Sequence, residues 1–178
     1  MLIAQQKRNE NIIEYLIYMF QVEDMVRACK LDINLVDEMI ISKYDHEYSV
    51  KRDIREWYNA IIQMMKESGR TRTGHIPLLD TLVADLNEIH HQIKDDPKRS
   101  EYAELYKEAK PAIEELTLKS GHGNEISVCL NGLYGYLLLK ISSRDINPDT
   151  VTAMNQISAF LGMLSEEFHR IEKGEQEL

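Results

Sequence analysis

Apolar residues in this chain return every three to four positions and almost nowhere every two. Leu79, Leu82, Leu86, Ile89 and Ile93 fall on one side of a 3.6-residue helix. Met154, Ile157, Leu161, Leu164 and Phe168 repeat the pattern. No Val/Ile/Thr run alternates between turn residues as a hairpin requires. Such a chain buries its apolar side chains only by packing helix on helix, so the fold class is all-α. We expect a single-domain bundle of about six to seven helices over residues 1–173, with the first and sixth helices central. Residues 174–178 read as a flexible tail.

Punctuation sets the expected boundaries. A first helix runs from Ile3 to Cys29, and Asp32 caps a second that reaches Ser42. After the polar break Tyr44–Tyr48, Ser49 caps a third, carried by Ile54, Trp57, Ile61, Ile62 and Met65 and stopped near Gly69. Pro77 suits the first turn of a fourth, which ends before Asp95-Asp96-Pro97. The fifth, Lys98 to Lys119, is strongly charged, and Pro111 should kink or divide it. Gly121-His122-Gly123 ends it, and Asn124 caps the sixth, Ile126 to Ser143. Asn147-Pro148-Asp149-Thr150 opens a seventh through Ile171.

Composition excludes several classes. With 178 residues and 43% apolar content, the chain can build a core without a disulfide or metal staple. Its two cysteines, Cys29 and Cys129, sit in apolar runs and form no C-x-x-C, which opposes a disulfide scaffold, a redox dithiol and a structural zinc site. The net charge of −9 opposes nonspecific binding to nucleic acid or anionic membrane. The opening residues turn polar at once, and the greasiest stretch, Val128 to Ile141, is shorter than the ~20 residues of a membrane span. A cytoplasmic protein with no cofactor, no nucleic-acid partner and no membrane partner is expected.

Two motifs invite chemistry and fail on geometry. Glu88/His91 and Glu166/His169 both match the Glu-x-x-His element of di-iron bundles. The ligands of such bundles project into the core, whereas Glu88 and Glu166 both turn away from their helices' apolar stripes. We therefore expect no metal site. His90 rather than His91 borders the core face, where a hydrogen-bonded structural histidine is expected. The loop Arg70-Thr71-Arg72-Thr73-Gly74-His75 concentrates donors before a helix start, a plausible anion seat. Gly69 and Gly74 have the phosphate-loop spacing, but His75 and Ile76 follow in place of Lys and Ser/Thr.

The first helix holds the least ordinary pattern. Its stripe, Gln5, Asn9, Ile12, Leu16, Met19/Phe20, Glu23, Arg27, is apolar in the middle and polar at both ends. Glu23 can pair with Arg27 at i,i+4, and Asp24 reaches Arg27 at i,i+3. Tyr15, Tyr18, Val22, Met25 and Cys29 give the helix a second apolar side. The sixth helix is apolar nearly all round, and its Gly132 and Gly135 read as places of close packing within the bundle.

The segments Ile3-Ala4-Gln5-Gln6-Lys7 through Glu23-Asp24 … Arg27-Ala28, and Leu130-Asn131-Gly132-Leu133-Tyr134-Gly135-Tyr136-Leu137, resemble a bacterial, Bacteroidetes-type family of small all-helical proteins of unknown function. Trp is common in that family where Phe20 stands. The resemblance implies a helical fold and supplies no catalytic or binding residues. The leading expectation is a non-enzymatic helical module, a homodimer that acts through protein partners or a small anionic ligand. The alternative is a ligand sensor or enzyme with a pocket around Glu23, Asp24 and Arg27 and the loop residues Arg70, Arg72 and His75. A carboxylate/His metal-binding bundle is the third reading.

Overall fold

The structure, a computed structural model, describes residues 2–121 and 123–175, with every side chain among them except that of Leu2. His122 and residues 176–178 of the expected tail lie outside the described residues. The described residues form eight α-helices and no strand. They are α1 (Leu2–Glu10), α2 (Ile12–Ala28), α3 (Ile33–Met39), α4 (Tyr48–Glu67), α5 (Pro77–Ile93), α6 (Ser100–Ser120), α7 (Glu125–Ile141) and α8 (Pro148–Glu172). Single 3-10 turns, Ile41–Lys43 and Pro97–Arg99, follow α3 and precede α6.

The expected first helix is two helices. Asn11 has extended backbone, and its side chain accepts from the Ile13 and Glu14 amides, so it caps α2. The Ile12 N–H, an orphan at a helix start, is taken across the fold by Ser165 Oγ of α8 at 3.1 Å. The break takes Gln5 and Asn9 off the buried stripe, and both are exposed. The Asn-x-x-Glu spacing of Asn11 and Glu14 was the available signal.

At the other end of α2, the Leu31 amide bonds the Val26 carbonyl and the Lys30 amide bonds that of Arg27. This helix stop is one that glycine usually supplies, yet Lys30 and Leu31 carry it at φ 56° and 55°. Of the kink or division expected at Pro111, the division does not occur, and α6 runs unbroken across it. Pro111 is exposed, so the carbonyl that its missing N–H leaves unpaired can turn to water.

One apolar cluster gathers residues from α1 through α8. Ile12, Leu16, Met19, Phe20, Val22 and Val26 bring α2 into it on two sides. Ile157, Phe160, Leu161 and Leu164 do the same for α8. α7 buries Ile126, Val128, Cys129 and Leu130, but its last turn leaves the core, with Leu138, Leu139 and Ile141 exposed. Both cysteines are buried, and burial pushes their thiols up, Cys129 to about 12. No described helix is long and apolar enough to cross a membrane.

Candidate functional site

α4 ends in a glycine stop, with Gly69 at φ 71° and the Arg70 amide returning to the Met65 carbonyl at 2.8 Å. The chain then crosses to the start of α5, where Pro77 occupies the first turn. On its way it passes over α2. The Glu23 carboxylate is fully buried there and accepts from the Ile76 amide at 2.8 Å and from His75 Nδ1 at 2.6 Å. A buried carboxylate needs such partners, and the α5 N-terminus adds positive potential. The His75 ring stacks on Phe20 with centroids 3.6 Å apart and planes 17° apart. Because Nδ1–H serves Glu23, Nε2 is the nitrogen that remains on a ring 24% exposed.

The expected Glu23–Arg27 pair is replaced. Both Glu23 oxygens are engaged by the loop, and Arg27 turns to Asp24, with Nη1 to Oδ1 at 2.7 Å. Its Nη2 donates to the carbonyls of Gly74 and of Arg70, the latter at 3.3 Å, and its Nε is buried without a hydrogen-bond partner. Asp24 also accepts from the Tyr134 hydroxyl of α7 at 2.7 Å, which raises that phenol above its ordinary value after burial has done most of the work. Gly74 has φ 79°, and the Arg70 side chain packs 3.2 Å from where a Cβ would stand. Five of the six residues read from the sequence thus converge: Glu23, Asp24, Arg27, Arg70 and His75. Arg72 does not join them and is exposed. The converging groups largely satisfy one another, Arg70 taking Asp80 at 3.4 Å. Chemically, the arrangement fastens the loop to α2, and the His75 edge is what it leaves outside.

Helix phase places the two Glu-x-x-His carboxylates outward as expected, whereas the His169 ring is only 14% exposed. Glu88, His91 and Glu166 are exposed, and no group of three His, Cys, Asp or Glu residues able to share a metal ion occurs among the described residues. His90 is fully buried. Its Nε2–H donates to Glu125 at 3.0 Å, leaving Nδ1 to accept from the Tyr102 hydroxyl at 2.7 Å. Tyr106 donates to the same carboxylate at 3.1 Å. Desolvation lowers the His90 imidazole below its ordinary value despite Glu125. Sequence reasoning missed the buried Glu167, held by Arg99 Nε at 2.9 Å and Arg170 at 2.8 Å. Only its seat beside Phe168, on the apolar face of α8, could have flagged it.

The two glycines of α7 part company. At Gly132 an added Cβ would meet Leu116 of α6 at 2.7 Å, so close packing explains it. At Gly135 an added Cβ would meet nothing within 4 Å. Gly135 lies between exposed Asn131 and exposed Leu138 at helical spacing, on the outward side of α7. Lys140 lies roughly 140° round α7 from Gly135 and stands over the Tyr136 ring. Neither it nor Arg144 and Asp145 beyond the helix, nor Asp149 at the start of α8, has an ion-pair partner among the described residues.

No curated protein and no solved structure matches the chain. The model of one family, a domain of unknown function (DUF4924), matches residues 1–175, nearly the full length, and this protein therefore belongs to the DUF4924 family.

Proposed function

We propose that the protein is a non-enzymatic helical module that works as a homodimer, its second copy docked on the outward side of α7. The observation that carries this is Gly135: a helix-weakening residue with open space where its side chain would be, set among exposed Leu138 and Leu139. A glycine there lets a second helix approach closely. Just beyond that turn the chain carries both signs, Arg144 and Asp145, without an ion-pair partner among the described residues, and a second copy related by a two-fold axis could pair them. α7 then lies between two bundles, the central place that its composition asks for.

Sedimentation velocity tests the reading. The expected species has twice the 20.7 kDa of the chain at micromolar concentration, and Leu138→Glu returns it to one chain with its helical circular dichroism intact. A wild-type protein that stays monomeric through that range refutes it.

A further inference from the structure

We propose that His75 is a phosphoryl acceptor, its Nε2 taking a phosphoryl group from a donor of the phosphoramidate or acyl phosphate class. Three contacts hold the ring. Nδ1–H donates at 2.6 Å to Glu23, a carboxylate with no exposed surface. The ring face stacks on the buried Phe20 with centroids 3.6 Å apart. The amide of the next residue, Ile76, donates to the same carboxylate at 2.8 Å, so the backbone that carries the ring is held as well. Nε2 has no hydrogen-bond partner among the described residues and is not a buried atom, so water reaches it.

Fastening the loop to α2 uses Nδ1 and the ring face and leaves Nε2 unexplained. An imidazole whose Nδ1–H is held by a carboxylate presents on Nε2 a fixed lone pair, made more basic by that carboxylate. Such a lone pair serves a metal, takes a proton from a neighbouring nucleophile, or attacks an electrophile itself. A metal needs further ligands, and no group of three His, Cys, Asp or Glu residues among the described residues could share one. A general base needs a hydroxyl or thiol within hydrogen-bond reach, and no side chain of the described residues offers one to Nε2. Attack by the ring itself remains.

The surroundings select the electrophile. His75 stands just before α5, where the helix start adds positive potential. Two guanidinium groups lie one residue away. Arg70 Nη1 is 3.2 Å from where a Cβ of Gly74 would stand, and Arg27 donates to the Gly74 carbonyl. Asp24 and Asp80 are the anions that face them. The Arg70–Asp80 pair is long, 3.4 Å, and about half exposed on both sides, so Arg70 is free to turn to a dianion. A phosphoryl group offers guanidinium three acceptor oxygens. In the transfer the Nε2 lone pair forms the N–P bond, and the donor's P–N or P–O bond breaks with its electrons on the departing ammonia or carboxylate. Nδ1 keeps its proton, and the positive charge placed on the ring faces Glu23. This inference does not rest on the dimer.

Labelling the intact chain with phosphoramidate, and separately with acetyl phosphate, tests the proposal. Peptide mass mapping at alkaline pH, where phosphohistidine survives, locates the label. The exposed His46 and His91 are internal controls. At least one donor is expected to label His75 about tenfold faster than either control, the factor that one charge-assisted contact supplies. Labelling by one donor alone assigns that donor's class. Phosphorus–nitrogen NMR should place the group on Nε2, and the preference should vanish in urea. Glu23→Gln keeps an acceptor for Ile76, but without the carboxylate charge it should lose the preference and spread the label over both ring nitrogens. The proposal is overturned if neither donor labels His75 faster than the controls, if the group sits on Nδ1, or if the preference survives in urea. It is also overturned if folded Glu23→Gln labels like the wild type. Should that variant fail to fold, an unchanged rate in Arg70→Ala overturns it instead.

Discussion

Glu23 is the residue on which the loop before α5 depends, and its partners set the cost of losing it. His75→Ala removes the charge-assisted contact at 2.6 Å and the ring on Phe20, leaving a buried carboxylate with one amide donor. We expect a loss of about 2 kcal/mol in urea unfolding, discounted from the full cost of a broken buried pair because the ring is partly exposed. Glu23→Gln keeps an acceptor for Ile76 and should cost less. A second expectation concerns His90. Its neighbours are Glu125, Tyr102, Tyr106, His91 and Lys94, and burial outweighs the Glu125 carboxylate in holding it below its ordinary value. Below about pH 6.5 the unfolded chain gains a proton here that the folded chain refuses. Stability is therefore full above that pH and falls as the solution is acidified. Urea midpoints across that range should fall less in His90→Gln than in the wild type, and equal slopes would count against the assignment. His90 could be read from the sequence because helix phase put it on the core face. The meeting of Glu23 with the loop was among the expectations, but its bond to His75 in place of Arg27 was not, since a spacing of 52 residues carries no local signal.

At the scale of the helix, legibility followed the period. The stripes of α4, α5 and α8 depend on side chains three and four apart, and the structure buries those side chains except Trp57, which is half-buried beside the buried Tyr58. The Asn11 break escaped because the apolar pattern continues in register through it, and a short-range cap overrode the pattern. At Pro111 the division half of the expectation failed: an exposed face lets the helix continue where a buried one would not. The stop after α2 gives a prediction. Lys30 holds a left-handed conformation on an exposed position without glycine's freedom. Lys30→Gly should therefore raise stability by about 1 kcal/mol. A drop in the thermal midpoint would show that the Lys30 side chain has a role of its own.

For the whole molecule, the sequence carried the class and most of the element order, because both follow from where apolar residues recur. It carried less of how the helices meet, because each contact depends on residues far apart in the chain. Arg99 and Glu167 are an example, an ion pair joining the turn before α6 to α8 across 68 positions. Burial is also uneven. Among the described side chains of α1, only Ala4 is buried, and the helix is moored to α8 through the exposed pair Arg8–Glu172 at 3.0 Å. Stability in such a molecule is a gradient rather than a single value. Amide hydrogens of α1 should exchange with deuterium well before those of α2, although Asn11 alone separates the two helices. Added salt should hasten α1 further by screening its mooring, with α2 unmoved. The helix α1 then behaves as a flap that the rest of the protein can lose and regain without unfolding.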